Sequence, residues 1–268
     1  MAFTFCSLAS GSSGNCQYLA SEKGSLLVDA GLSGKKITQA MESIGEDIKR
    51  VCGILVTHEH NDHIKGIGIL SRRFNIPIYA NNNTWTGMRD KIGKVDEENI
   101  RFFQTGETFH IEDIQIKPYL ISHDAKEPVG FSFYHDDVKV SIATDLGVVD
   151  DRVKEEIKGS DLLLLESNHD VEMLKMGRYP WYLKKRVMGD YGHLSNETAG
   201  EIIAEMVSHK VPIGKVLLGH LSQENNFPEL AFETVKNVLN SKKIKIGLDV
   251  CVDLTYRDRV SQVYSLCK

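Results

Sequence analysis

Apolar positions along the 268-residue chain fall into two patterns, short β-branched or leucine-rich runs and longer stretches with i, i+3, i+4 spacing. The runs predict strands near 3–8, 16–20, 25–29, 51–56, 76–80, 100–103, 114–120, 130–135, 138–143, 161–166, 214–218, 244–250 and 260–266. The helical spacings predict helices near 34–45, 63–73, 84–91, 150–158, 196–208 and 228–240. The first strands read as hairpins, and the later ones alternate with helices. The turn Asp136-Asp137 between Phe131–His135 and Lys139–Ala143 marks one antiparallel pair. An α/β arrangement of two packed sheets with helices outside satisfies this order. No Pro/Gly/Ser-rich linker, repeat or low-complexity tract interrupts it, so one domain spanning 1–268 is expected.

One loop in this pattern carries chemistry. The apolar run Val51–Val56 is followed by Thr57-His58-Glu59-His60-Asn61-Asp62-His63, then by helical spacing at Ile64, Ile67 and Leu70. His58 and His60 are two apart in extended chain, so both can project to one side. Asp62 and His63 fall in the first helical turn, where neighbouring side chains diverge, so they can serve a displaced centre. That geometry suits two adjacent metal ions better than one. The bland alternative is a charged surface loop, an improbable use of three of only ten histidines. A closed thiolate site is disfavoured by the cysteines at 6, 16, 52, 251 and 267, which form no Cys-x-x-Cys pair.

His-x-His-x-Asp-His after an apolar strand resembles the signature of the metallo-β-lactamase family. Further segments match that family in order: Ile121-Ser-His123 before Val129–Phe133, Val140–Asp145, and Val216–His220. The resemblance implies an αββα four-layer sandwich and a dinuclear centre. His58, His60 and His123 would hold one metal, Asp62, His63 and His220 the other, and Asp145 would bridge. Asp29 resembles an orienting group more than a ligand. Glu166, ending Leu162–Leu165, and His193, just before a helix capped by Ser195 or Asn196, look like the pair that phosphodiesterases of the RNA 3′-processing type use beside the metals. The opening Ser7–Cys16 segment, Glu166–His169 and Gly192–Asn196 together are similar to the YycJ/WalJ group, regarded as DNA exonucleases.

The implied catalytic residues are His193, Glu166 and Asp62. Glu166 would keep His193 charged and oriented, and His193 would protonate the departing sugar oxygen or stabilise the phosphoryl oxygen. Asp62 could also accept a proton from the attacking water. Imidazole and carboxylate ligands without thiolate suit two divalent ions, Zn²⁺ or Mn²⁺. Substrate contacts are expected from Ser12, Ser13 and Asn15 in a loop rich in N–H and hydroxyl groups, against the alternative of a tight turn. They are also expected from Arg178, Lys184, Lys185 and Arg186, interleaved with Tyr179, Trp181 and Tyr182. The alternative there is a solvated amphipathic helix with an aromatic core stripe. His110, His135 and His209 read as surface residues, and His169 as a structural hydrogen bonder.

Composition adds little except exclusions. A net charge of −5 does not advertise nucleic-acid binding, so any such contact must be local. No basic n-region, signal core or membrane-length apolar run is visible, and unpatterned cysteines fit a reducing cytosol. What the YycJ/WalJ resemblance implies, within these bounds, is a cytoplasmic 5′–3′ exonuclease acting on DNA with a free end, away from membranes. The rival is a small-molecule hydrolase of a cyclic phosphodiester, thioester or lactone, or an RNA-processing nuclease. A thioesterase of the glyoxalase type should end in helices, whereas residues after Lys242 read as β. A tRNA 3′-processing enzyme usually carries a Gly/Pro-rich arm, and none is visible between His63 and His123; an RNase J-type enzyme needs a large inserted domain, which the stretch from Asp145 to His220 cannot contain. A di-iron protein commonly replaces the second histidine, here His60, with a carboxylate. A metal-dead binding module is disfavoured because all seven ligands are present.

Overall fold

The structure, a computed structural model, describes residues 2–210 and 213–267. The first half runs β1 (Phe3–Ala9), β2 (Cys16–Ala20), β3 (Ser25–Val28), α1 (Gly34–Ser43), β4 (Val51–Leu55), α2 (Asn61–Ile64), α3 (Ile67–Phe74), β5 (Ile78–Ala80), α4 (Asn82–Met88) and β6 (Ile100–Phe102). The second half runs β7 (Phe109–Ile111), β8 (Ile114–Leu120), β9 (Val129–His135), β10 (Val138–Ala143), α5 (Asp151–Ile157), β11 (Leu162–Glu166), α6 (Val171–Met176), α7 (Trp181–Val187), α8 (Asn196–Ser208), β12 (Lys215–Gly219), α9 (Pro228–Ser241), β13 (Cys251–Leu254) and β14 (Tyr264–Leu266).

Two seven-stranded sheets result, ordered β14-β1-β2-β3-β4-β5-β6 and β13-β12-β11-β10-β9-β8-β7. In each, an antiparallel hairpin run leads into parallel strands, β3 to β6 in one and β10 to β13 in the other. Period-2 alternation builds three apolar layers. Phe3, Phe5, Leu26, Val28, Phe131, Leu162 and Leu164 fill the space between sheets. Their neighbours Leu8 and Leu27 turn outward to Ile37, Met41, Ile67 and Trp85 of α1, α3 and α4. Leu163 and Leu165 turn outward to Val153, Ile203 and Val235 of α5, α8 and α9. The run Leu162–Leu165 is buried on both faces, as expected of a central parallel strand. This is the αββα sandwich that the resemblance implied.

Three element predictions need correction, and β7, α6 and α7 lie outside the predicted elements. The helix expected over 63–73 is two pieces, because the Gly66 N–H donates to the Ala30 carbonyl (2.7 Å) and breaks the helical ladder. The strand expected at 244–250 is a turn closed by Lys245 and Asp249, and the strand lies at Cys251–Leu254, where the backbone reaches β12. The strand expected at 260–266 is confined to Tyr264–Leu266. Residues 171–187 hold two short helices that the periodicity did not mark.

Candidate metal centre

The chemistry-bearing residues lie where the parallel strands end: Asp29 after β3, His58 to His63 after β4, Asp145 after β10, Glu166 at the end of β11 and His220 after β12. Ligand sites of open α/β sheets form at these carboxyl ends. Asp29, Asp145 and His220 all adopt positive φ, at 61°, 59° and 54°. Each left-handed residue turns the chain sharply off its strand, at a cost of about 1–3 kcal/mol. Three such residues around one cavity mark a site held in strain by its surroundings.

Four imidazoles are pinned through Nδ1, which turns Nε2 inward. His63 Nδ1–H donates to Asp29 Oδ2 (2.7 Å), and Asp29 also accepts from the Thr57 N–H and hydroxyl (2.9 and 2.8 Å). His58 Nδ1 lies 3.0 Å from Thr57 Oγ1, His123 Nδ1 3.3 Å from the Gly192 carbonyl, and His220 Nδ1 2.9 Å from Glu166 Oε1. Fixing one ring nitrogen sets the tautomer and aims the other.

Two groups of nitrogen and oxygen donors face each other as a result. His58, His60 and His123 form one, and Asp62, His63 and His220 the other. His60 Nδ1 and His123 Nε2 are 3.3 Å apart. That equals the separation of about 3.3 Å between two nitrogens bound tetrahedrally to one ion at roughly 2.0–2.1 Å. Asp145 lies between the groups, with Oδ2 3.2 Å from His63 Nε2 and Oδ1 3.2 Å from His220 Nε2 and 3.9 Å from His123 Nε2. His58 Nε2, His220 Nε2 and Asp145 Oδ2 are buried without hydrogen-bond partners. Unpaired buried acceptors are costly, and a cation at each centre would satisfy them. The residues therefore fit two divalent ions. A third grouping, Asp145, Glu166, His193 and His220, is equally close. It is a poor candidate because both Glu166 oxygens are already committed.

Glu166 is fully buried. Its Oε1 accepts from His193 Nδ1 (2.8 Å) and His220 Nδ1 (2.9 Å), and its Oε2 from the Leu146 and Leu194 N–H groups (2.9 and 3.2 Å). Burial alone would raise its carboxyl, but His193 and then His220 bring it down to about 2. The same contact raises His193 against its own burial. Burial lowers His58 and His123 and keeps them neutral, as ligands must be. His220 is pushed up to about 10, because Asp145, Asp62 and Glu166 outweigh burial. His63 is likewise raised by Asp145 and Asp29 against its burial.

A family model described as the β-lactamase superfamily domain matches residues 25–220. The chain belongs to the metallo-β-lactamase superfamily. Within it, Exodeoxyribonuclease YycJ of Bacillus anthracis is 43% identical over 247 residues, 92% of this chain and 93% of that relative. Exodeoxyribonuclease WalJ of Streptococcus pneumoniae is 44% identical over 249 residues, 92% of each. Among solved structures, the metallo-β-lactamase fold protein YhfI from Bacillus subtilis superposes with a TM-score of 0.74 at 16% identity, over 99% of this chain and 100% of that one. At that identity the likeness is one of superfamily fold alone.

The expected substrate-binding residues divide. Ser12 and Arg186 line the cavity beside the metal centre, Arg186 paired with Asp124. Ser13 lines a different cavity. Asn15 is buried against the donor cluster, with Nδ2 3.0 Å from the inward-turned His63 Nε2. Lys184 is buried, and its ammonium donates to the Lys175 carbonyl at the end of α6 (2.6 Å), so it is structural. Arg178 and Lys185 are exposed and do not line the cavity, and Lys185 lies over Trp181. Trp181 and Tyr182 are 62% and 74% exposed, which rules out an aromatic core stripe. His135 is buried against Phe3 rather than on the surface. His169 bonds through its backbone, accepting from the Asn196 N–H (2.9 Å), while its ring Nδ1 is unpartnered. Sequence reasoning missed Thr57, the bond from Glu166 to His220, and Asn225. Asn225 lines the cavity with both side-chain polar atoms unpaired. Nothing in local sequence distinguishes it from an ordinary loop asparagine.

Proposed function

We propose that this chain, acting as one domain, is a dinuclear metal-dependent phosphodiesterase that removes nucleotides from DNA ends in the 5′ to 3′ direction. The observation that carries the reading is the Glu166–His193 pair beside the two donor groups, with His193 Nδ1 3.8 Å from Asp145 Oδ1. His58, His60 and His123 would hold one Zn²⁺ or Mn²⁺ ion, Asp62, His63 and His220 the other, with Asp145 shared. Bound there, two such ions supply an activated water and neutralise charge on the scissile phosphate.

The remaining work belongs to side chains. Glu166 holds His193 protonated through Nδ1, which leaves Nε2–H free to donate to the departing sugar oxygen. Asp62, held ionised against burial chiefly by His63, can accept a hydrogen bond that orients the attacking water. Arg186 offers a guanidinium to a phosphate oxygen when it exchanges from Asp124. The names of the YycJ and WalJ relatives support DNA as the polymer. Among the described residues no helix is long and apolar enough to cross a membrane, and all five cysteines are free, which supports a reducing, cytoplasmic setting.

The test is metal-dependent degradation of 5′-labelled single- and double-stranded DNA and RNA, with His60→Ala as control. Stepwise release from one DNA end, absent in the variant, is expected. Hydrolysis of bis-p-nitrophenyl phosphate with every polymer left intact would move the activity to a small phosphodiester.

A further inference from the structure

A second cavity adjoins the catalytic one across a single tight turn. Ser12 lines the first and Ser13 the second, while Ser12 Oγ accepts from the Gln223 N–H (3.3 Å) of a residue that lines the second. Lys36 of α1, Arg257 and Arg259 line this second cavity, and Asp258 is the only acid among its lining residues. Among the described residues, neither Lys36 nor Arg257 has a carboxylate partner, and Arg257 Nη1 is buried with no hydrogen bond. Buried donors nearly always have an acceptor, so this nitrogen is a vacant half of a pair.

The position of Arg257 is built into the fold. Its Cγ lies 2.3 Å from where a Cβ on Gly11 would sit, so only glycine lets the arginine stem pass. The Ser10 N–H donates to the Tyr256 carbonyl (2.8 Å), and Gly11 bridges to Leu221, the residue after His220. Arg259 stacks on Tyr256, 3.8 Å from the ring centroid, which leaves its N–H edges free. A chain of net charge −5 thus keeps an unpaired cationic cavity on the loop that borders its metal centre.

We propose that Arg257 and Lys36 bind a backbone phosphate of the nucleic-acid substrate beside the scissile bond. A guanidinium fork and an ammonium suit a phosphodiester, and Lys36, Arg257 and Arg259 outnumber the single acid among the lining residues. This inference rests on the phosphodiesterase reading above.

The test is equilibrium binding of a labelled oligonucleotide to the full-length, metal-loaded chain in a His193→Ala background, as salt rises from 50 to 200 mM. Each phosphate contact contributes about 0.7–0.9 to the slope of log affinity against log salt, or roughly a threefold fall over that range. Arg257→Gln should lower the slope by most of that amount, and adding Lys36→Gln should bring the loss to that of the one phosphate contact and no further. Arg257→Lys should restore it, which separates lost charge from lost folding. Lys23→Gln, at the exposed β2–β3 turn, should leave the slope unchanged. A parent that binds DNA with the same slope as Arg257→Gln would overturn this inference and leave the phosphodiesterase reading intact. A parent that binds no nucleic acid would overturn both. Inorganic phosphate binding that depends on Arg257, with an unchanged slope on DNA, would assign the site to free phosphate and refute the polymer contact.

Discussion

Replacing Glu166 with glutamine isolates the group on which the candidate site turns. The side-chain volume is kept, so packing is not disturbed. The carboxylate now accepts four N–H donors, two from imidazoles and two from backbone. Glutamine has one oxygen, and whichever way its amide is turned, two donors face an NH₂ group. Each orphaned buried donor costs about 1–3 kcal/mol, so the loss should total about 2–6 kcal/mol. At about 2–4 °C per kcal/mol for a chain of this size, the melting temperature should fall by roughly 5–20 °C. Two further consequences follow from charge. Burial opposes a protonated His193 and Glu166 raises it, so without the carboxylate its protonation should shift to lower pH. The alkaline limb of turnover on bis-p-nitrophenyl phosphate should move in the same direction. His220 also loses its anchor, and metal affinity should drop by about 10–100-fold. The assays are thermal unfolding, a pH–rate profile and metal titration. A Glu166→Gln variant with the parent's melting temperature and an unmoved alkaline limb would refute the four-donor account.

His193→Ala should retain both metals and the fold while losing about 10²–10⁴ in phosphodiester turnover, and equal turnover in parent and variant would remove the proposed acid. In metal-free protein, His220 is raised to about 10 from 6.5, so its stabilising contribution is full below about pH 6.5 and lost as pH rises toward 10. Chelator-treated protein should therefore melt lower across that window, and a flat or rising melting temperature would contradict the pairing with Asp145. Metal-loaded protein should escape the decline, because a cation replaces the proton. Gly31→Ala would place a Cβ 1.6 Å from the Asp62 carbonyl oxygen. Backbone must then move in the metal loop, so destabilisation of at least about 1–3 kcal/mol and reduced metal content are expected in urea titration and metal analysis.

The ligand cluster was legible because its geometry is local. His58, His60, Asp62 and His63 are fixed relative to one another by one strand end and one helical turn. The distant ligands His123, Asp145 and His220 became legible through the family's order of motifs, since no spacing rule ties them to residue 58. The strand misplaced at 244–250 shows the limit of pattern. Ile244, Ile246 and Val250 are apolar, but Gly247 sits at φ 87° in a closed turn, and pairing with β12 selects Cys251–Leu254 instead. Lys184 shows the same limit for charge, because a basic run on paper became one cation inside and its neighbours outside.

Residue type and short-range spacing were enough to specify two packed sheets and the local donor cluster His58, His60, Asp62 and His63, because strand alternation and loop geometry act over a few residues. Which hydrogen bond aims each imidazole, that one Glu166 oxygen serves two of them, and that Asn225 and Arg257 stand unpaired beside the cavities were decided only when the strand ends converged. The bonds that aim the imidazoles join residues up to 69 positions apart, as between His123 Nδ1 and the Gly192 carbonyl. Their energies depend on burial, which no local stretch of chain possesses before the layers pack.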